Sequence, residues 1–395
     1  MDLSSLLDLN NLARESGFKV SRKRFAFDNL FGDDGQHFVG IVGARGTGKT
    51  TMLKQFLSLR DDSFYISMDT FEGDLFECAK YLSDQMGIRY LLLDEVHFYR
   101  SFDAYLKKIY DFLDIKIYFT GSVALALVES SYDLSRRVIL KTLYPFSFRE
   151  YLWFKYDREI ASLDMNSLLD GNIDRCYIEL YPYLKEYLTG GIMPFALNEV
   201  KTIEIIKNIL ETIVNRDIAV YANLAVDELN ILSKMIAFIG VSGIDGINYT
   251  SLSNNLKITK YKAVRYVEIL QKAFVLNVVM PAGTNVMKEP KILMSVPYRL
   301  LFSDYERSIG GLREDFFVES MSMAGKPVQY LKSVRGAKTP DYILSDHGSD
   351  IVFEIGGKGK GREQFKGIKV EKKIIFADSI ENKGTKRPLF LAGCL

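Results

Sequence analysis

Four short apolar runs alternate with amphipathic segments in the first third of the chain. The runs span residues 37–42, 63–67, 90–94 and 115–119. Such near-continuous hydrophobicity is typical of strands that helices cover on both faces. The alternation predicts a parallel α/β sheet, preceded by an amphipathic helix within residues 1–30.

Helical periodicity replaces this pattern from about residue 145. Segments Ile160–Leu169, Cys176–Leu188 and Val200–Val214 place apolar residues at helical spacing. We interpret residues 146–226 as a helical lid that follows an α/β core of residues 1–145.

A third pattern covers residues 227–300 and indicates three helices followed by a β-prone pair. This order is typical of a winged helix-turn-helix, whose third helix can enter a DNA major groove. Thr259 is predicted to cap that third helix. The predicted elements are helices Leu229–Ile239, Thr250–Leu256 and Tyr261–Ala273 and strands Phe274–Met280 and Lys291–Val296.

Four basic residues on and before the third helix are candidates for contact with DNA phosphates. They are Lys257, Lys260, Lys262 and Arg265. Two other interpretations stay open, because basic helix residues are often only a solvated face and winged helices also bind proteins.

Residues 43–50 read GARGTGKT, a complete P-loop between an apolar run and a predicted helix. The motif binds phosphate because a strand delivers backbone N–H groups to a helix N-terminus. Lys49 is predicted to contact the terminal phosphates and Thr50 to bind Mg2+. The predicted nucleotide-binding set is Gly43, Ala44, Arg45, Gly46, Thr47, Gly48, Lys49, Thr50 and Thr51.

Two carboxylates end the apolar run at residues 90–94, as nucleotide hydrolysis requires. Asp94 is predicted to hold Mg2+, and Glu95 to orient and deprotonate the attacking water. The next run ends in Thr120-Gly-Ser122, so Thr120 or Ser122 is a candidate for contact with the γ-phosphate or the water. Either residue could instead cap the helix predicted at residues 123–129.

The tail from residue 301 offers a weaker pattern with a possible second metal site. Asp341 and Glu354 lie on two short predicted strands, joined by a turn at residues 346–350. In a hairpin their carboxylates could share one Mg2+, as metal-dependent phosphodiester cleavage needs, with Glu314 as a third acid. A strongly basic stretch that could follow a nucleic-acid backbone comprises Lys358, Lys360, Arg362, Lys366, Lys369, Lys372 and Lys373.

Composition limits the number of domains but does not indicate a binding partner. The chain has 395 residues, 48% of them hydrophobic, which is enough for two or three domains. Since 51 basic residues balance 50 acidic ones, net charge favours no ligand class. Three scattered cysteines, no apolar run of membrane-spanning length and no basic N-terminal start predict a cytoplasmic protein without membrane attachment.

These landmarks together resemble a family of bacterial and archaeal AAA-type ATPases that carry a winged helix and a tail related to PD-(D/E)xK nucleases. The resemblance implies a P-loop NTPase fold with helical lid, winged helix and an α/β restriction-endonuclease-like domain at 301–395. It also implies that Arg137 acts as a γ-phosphate sensor or arginine finger. Besides the P-loop it rests on residues 92–96, 120–122, 137–151, 188–194, 215–218, 313–314 and 340–341.

The chain departs from this family where the nuclease motif places a lysine two residues after the strand glutamate. Glu354-Ile is followed here by Gly356-Gly, so Lys358 comes two residues late and Lys360 four. A long lysine side chain could still reach the metal. Equally, the tail could have kept the fold and lost the cleavage.

The sequence thus predicts an ATPase that uses ATP and Mg2+ and whose nucleotide state repositions the winged helix and tail, with DNA as the expected partner. A homo-oligomer is possible, because an arginine finger can act between subunits. The alternative is a slow ATP-binding switch or adaptor whose winged helix and inactive tail bind protein.

Overall fold

The computed structural model divides into two compact units. Unit 1 comprises Met1–Pro145 with Val220–Ala222, and unit 2 comprises Phe146–Ala219 with Asn223–Leu395. The residues that the structure describes are 3–32, 35–121, 134–243, 246–283, 289–331, 339–346, 349–361, 365 and 370–395.

Unit 1 contains a five-stranded sheet in the order β2-β3-β4-β1-β5, and every pairing in it is parallel. The four strands expected from the sequence are confirmed. The edge strand β5 was missed because its residues are mostly half-exposed and its apolar run, Val138–Leu140, is only three residues long. The strands are β1 Phe38–Val42, β2 Ser63–Ser67, β3 Tyr90–Asp94, β4 Lys116–Gly121 and β5 Val138–Thr142.

Apolar clusters cover both faces of this sheet, as parallel strands require. On one face α1 packs closely on α3. A side chain at Gly17 would place its Cβ 2.0 Å from the Lys54 carbonyl oxygen, so glycine permits this approach. The helices are α1 Leu3–Phe18, α2 Phe27–Leu30, α3 Lys49–Ser58, α4 Leu75–Met86 and α5 Phe102–Phe112.

The first part of unit 2 is helical but more broken than the periodicity predicts. Residues 160–164 are not helical, and a 3-10 turn that contains Pro182 interrupts the segment predicted at Cys176–Leu188. The third segment continues into a π-helical stretch, Ile213–Ile218. The α-helices are α6 Phe148–Tyr156, α7 Met165–Asp170, α8 Arg175–Ile178, α9 Leu184–Glu186 and α10 Thr202–Thr212. The short helix α11, Ala219–Tyr221, follows, and its last two residues belong to unit 1.

Three further helices and an antiparallel strand pair follow in the predicted order. Asn248 caps the second helix and Thr259 the third, and each accepts a hydrogen bond from a backbone N–H three residues on. The predicted Thr259 cap is therefore confirmed. The elements are α12 Val226–Val241, α13 Tyr249–Leu256, α14 Lys260–Lys272, β6 Leu276–Val279 and β7 Lys291–Met294.

The tail forms a second five-stranded sheet, in the order β12-β11-β10-β9-β8. The predicted hairpin is present, since β9 and β10 pair antiparallel, whereas β10, β11 and β12 pair in parallel. Phe317 of the long helix α15 packs against three aromatic rings of this sheet. The elements are α15 Tyr305–Met323, β8 Gln329–Tyr330, β9 Tyr342–Asp346, β10 Ser349–Gly357, β11 Lys372–Asp378 and β12 Lys386–Pro388.

Across the described ranges, no helix has the length and apolar character needed to cross a membrane.

Candidate functional site

The P-loop connects the carboxyl end of β1 to the first residue of α3. It turns through two left-handed glycines, Gly46 with φ 83° and Gly48 with φ 90°. Lys49 opens the helix, and its ammonium donates to the carbonyl oxygens of Gly43 at 2.8 Å and Ala44 at 3.0 Å. The lysine side chain therefore folds back into its own loop.

Close packing fixes the start of the loop, and a hydrogen bond closes its turn. A Cβ at Gly43 would lie 2.2 Å from the Leu143 carbonyl oxygen, and the Thr47 hydroxyl donates to Ala44 O at 2.9 Å. Arg45 and Thr50 are half-buried, and Thr51 is exposed. The predicted nucleotide-binding residues thus share one loop and one helix N-terminus.

Arg24 anchors this loop and was missed as a functional residue. Its buried guanidinium donates to Thr47 O at 3.0 Å, Tyr144 O at 2.9 Å and Pro145 O at 2.8 Å. The P-loop is therefore tied to the chain that follows β5. In the sequence Arg24 appears only as part of a basic turn, and nothing local marks its carbonyl partners.

A buried network surrounds Asp94 at the carboxyl end of β3. The Tyr65 hydroxyl donates to Asp94 Oδ2 at 2.8 Å, and the Thr120 hydroxyl donates to Oδ1. Burial, and then the Asp94 charge, raise the pKa of Tyr65, so its hydroxyl stays a donor. Tyr65 and Thr120 thus hold Asp94 in one orientation at the edge of the sheet that bears the P-loop.

Glu95 has a left-handed backbone with φ 54°, an uncommon conformation for a residue other than glycine. Its N–H donates to Thr120 Oγ1 at 3.0 Å, and its Oε2 lies 3.1 Å from His97 Nδ1. Tyr221 donates through its hydroxyl to His97 O at 2.6 Å. Strain of this kind is typical of functional positions. The contact with His97 needs the turn after β3 and was not predicted.

Of the other predicted residues, one is not described and one lies away from this cluster. Ser122 lies outside the described residues. Arg137 precedes β5 at the opposite edge of the sheet, because β1 and β5 are parallel and Phe38 pairs with Val138. It binds Asp111 there through two hydrogen bonds, at 2.8 and 3.1 Å.

The position of Arg137 corrects part of its predicted role. A five-residue strand, about 16 Å long at 3.3 Å per residue, separates it from the P-loop. The structure therefore rules out contact between Arg137 and a nucleotide in the same P-loop. Instead, Arg137 pairs with a nearby acid, Asp111.

The tail brings Asp341 and Glu354 together. The β9–β10 register pairs Tyr342 with Phe353, so the next pair outward is Asp341 with Glu354. Directly opposed residues of an antiparallel pair project from the same face with Cβ atoms about 5 Å apart. The Ile355 N–H also donates to Asp341 Oδ2 at 2.8 Å.

Glu354 is 1% exposed, and its Oε2 is buried with no hydrogen-bond partner in the described part of the chain. Its Oε1 forms an ion pair with Lys360 Nζ at 2.6 Å. Burial, and then the charges of Glu314 and Glu354, raise the pKa of Asp341 to about 7. The orphaned oxygen beside a second carboxylate fits a hard cation such as Mg2+, which prefers oxygen ligands.

Glu314 does not complete a three-carboxylate site. Lys291 Nζ lies 2.6 Å from its Oε2, and the Tyr342 hydroxyl donates to the same oxygen at 2.6 Å. Within the described ranges no group of three or more His, Cys, Asp or Glu side chains is arranged to hold a metal ion. The predicted third ligand is therefore corrected, because Glu314 carries its own cation. Lys291 lies in the β-prone pair and was not predicted here.

The basic residues assigned to DNA contact are partly neutralised. Lys260 forms an ion pair with Glu289, and Lys262 Nζ lies 3.6 Å from Glu228 Oε1. Lys257 and Arg265 are exposed. Of the basic stretch in the tail, Arg362, Lys366 and Lys369 lie outside the described residues.

The first unit defines the class. Residues 35–152 match the family model described as AAA domain, and residues 181–297 match a domain of unknown function, DUF8612. Residues 35–152, with their P-loop on a parallel α/β sheet, therefore form a P-loop domain of the AAA type.

A relative at high coverage then gives the family. The Methanocaldococcus jannaschii protein MJ1637 is 30% identical over 430 aligned residues, which cover 95% of this chain and 90% of the relative. The chain belongs to the family of that protein. A second protein of the same organism, MJ1544, is 25% identical over 60% of this chain and 55% of its own length.

Solved structures give weaker matches. Aeropyrum pernix ORC1 in complex with DNA has 12% identity and a TM-score of 0.28, covering 78% of this chain and 92% of that one. The Thermotoga maritima RuvB branch migration motor has 20% identity and a TM-score of 0.25, covering 73% and 92%. Scores this low add nothing to the fold assignment.

Proposed function

We propose that the chain is a Mg2+-dependent ATPase. The observation that carries the proposal is the buried Asp94, Tyr65 and Thr120 network at the sheet edge that holds the P-loop. Thr50 and Asp94 would hold Mg2+, which neutralises phosphate charge when bound. Lys49 exchanges its carbonyl partners for terminal phosphate oxygens, and the loop N–H groups bind the remaining ones.

Glu95 is the proposed general base. It directly follows Asp94 at the tip of β3, and its backbone N–H is fixed by Thr120. The 3.1 Å contact between its Oε2 and His97 Nδ1 keeps the carboxylate beside the imidazole ring. A carboxylate so placed accepts a proton from water as the water attacks the γ-phosphate.

Replacing Lys49 with alanine is expected to weaken ATP binding by about 10- to 100-fold, because charge-assisted hydrogen bonds contribute about 1.5–3 kcal/mol. Titration calorimetry with a non-hydrolysable ATP analogue measures this loss. Lys54→Ala on the same helix is the matched control and should bind as the wild type does. Equal affinity of Lys49→Ala and wild type would refute the assigned phosphate contact.

We further propose that the tail is a nuclease-like domain that cleaves phosphodiester bonds. The observation that carries this second function is the opposed pair Asp341 and Glu354, with one buried carboxylate oxygen left without a partner. These two residues would hold Mg2+, which activates water and stabilises the leaving oxygen when bound. Glu314 is assigned no metal in this proposal.

Removing either carboxylate is expected to abolish cleavage. Asp341→Asn and Glu354→Gln keep side-chain size but remove the charge that binds the cation, so Mg2+-dependent nicking of plasmid DNA or RNA should fall by at least about 100-fold. Asp350→Asn, on an exposed part of β10, is the control. Nicking that persists in both variants belongs to another site or to a contaminant.

We propose DNA as the partner of the winged helix, approached through the basic set Lys257, Lys260, Lys262 and Arg265. The rival adaptor function draws support from the ion pairs of Lys260 and Lys262, which leave less charge for phosphates. DNA binding whose affinity falls with salt supports the first, and ATP binding without DNA retention supports the second. An arginine-finger role for Arg137 is proposed only between subunits, where its distance from its own P-loop is no obstacle.

A further inference from the structure

We propose that Lys360 is the catalytic cation of the tail site, supplied from the turn after β10 in place of a lysine at position 356. The inference rests on the proposed phosphodiester cleavage and names a residue for it. The two positions are four apart in the sequence, yet side chains from both would occupy one volume.

The packing at Gly356 shows that a side chain at position 356 and the Lys360 side chain would overlap. A Cβ built on Gly356 would lie 2.7 Å from Lys360 Cδ and 2.9 Å from its Cγ, closer than real side chains approach. The aliphatic stem of Lys360 thus runs through the space in which a side chain at position 356 would begin. A larger residue at position 356 would therefore displace the Lys360 side chain from this place.

The end of this stem lies where the chemistry is proposed. Lys360 Nζ reaches Glu354 Oε1 at 2.6 Å, while Lys358, two residues closer in sequence, is exposed and forms no hydrogen bond or ion pair with described residues. The Lys360 ammonium therefore lies beside the paired acids.

A fixed cation has a definite task in this reaction. Hydrolysis joins a water oxygen to phosphorus, breaks one P–O ester bond and passes a water proton to the leaving oxygen. In the transition state negative charge accumulates on the phosphate oxygens. A preorganised ammonium stabilises the transition state more than the ground state, because the ground state carries less of this charge. The long, flexible side chain of Lys360 allows its ammonium to reach that charge.

Lys360→Met gives a test in which the readouts move in opposite directions. Cleavage should fall by about 100-fold or more, as when one charge-stabilising donor is removed. Mg2+ affinity, measured by calorimetry, should rise several-fold because a positive charge beside the two carboxylates has gone. The melting temperature should fall, since Glu354 is left buried without its cation. Lys358→Met is the matched control and should change none of these values.

The exchange variant Gly356→Lys with Lys360→Gly should restore both cleavage and melting temperature, while Gly356→Ala alone should reproduce the loss. If Lys360 were only structural, Lys360→Met would lower Mg2+ affinity and cleavage together, and this result would overturn the proposal. An exchange variant that restores neither cleavage nor melting temperature would also overturn it. If the wild type cleaves nothing, the nuclease function fails. The placement of Lys360 is then judged by Mg2+ affinity and melting temperature, and values in Lys360→Met equal to wild type overturn it.

Discussion

Replacing Glu95 with glutamine is expected to lower the rate of ATP hydrolysis by about 100- to 10,000-fold, the range that a positioned general base contributes. The amide keeps the size of the side chain and can still contact His97, but it cannot accept a proton from water. ATP affinity should change little, because Glu95 contacts no phosphate in the proposed site. Phosphate release gives the rate, and calorimetry gives the affinity.

Two controls separate this effect from general damage. Glu72→Gln replaces an exposed carboxylate of the same unit and should hydrolyse ATP at the wild-type rate. His97→Ala should lower the rate less than Glu95→Gln, because His97 acts only by positioning the base. A Glu95→Gln protein with wild-type turnover would show that another group activates the water.

Replacing Arg299 with methionine is expected to cost about 3–5 kcal/mol of the free energy of unfolding of unit 2. Arg299 is 2% exposed, and its Nε forms an ion pair with Asp315 at 2.6 Å. Its Nη1 donates to the carbonyl oxygens of Ile239, Gly240 and Ser242. Methionine fills part of the volume but leaves a buried carboxylate and three carbonyls without their donor. Since domains are typically stable by about 5–15 kcal/mol, this loss is large.

Denaturant unfolding, followed as the transition of unit 2, measures this change. Arg307→Met on the same helix α15 is the matched control, since its side chain is 83% exposed and its contact with Asp304 is at 3.5 Å. Exposed pairs contribute little, so the control should stay within about 0.5 kcal/mol of wild type. A loss below about 1 kcal/mol in Arg299→Met would contradict the structural role assigned to this ion pair.

The sequence predicts those parts of the molecule that depend on near neighbours. The P-loop, the Asp94-Glu95 pair and the strands β1 to β4 follow from local spacing and apolar runs, and the structure has all of them. The β9–β10 hairpin follows from a turn between two short strands. Even Thr259 was predictable, because a cap acts on residues three positions away.

The remaining features depend on partners that are distant in sequence. Arg24 anchors the P-loop through carbonyls more than a hundred residues away, and backbone acceptors leave no mark in a sequence. Arg137 was predicted from the order of the family's landmarks, but the direction of β5 places it at the end of the sheet that lies away from the P-loop. Lys360 replaces a side chain at position 356 only once the turn after β10 has folded back over Gly356.

The central claim is that the first unit hydrolyses ATP and does more than bind it. The most direct test is phosphate release by the full chain at saturating ATP with Mg2+, compared with the same sample in excess chelator and with Glu95→Gln. The account predicts repeated turnover that the chelator and the variant both remove, while Glu95→Gln still binds ATP. Tight ATP binding with no turnover in the wild type would contradict it and would leave a nucleotide-binding switch.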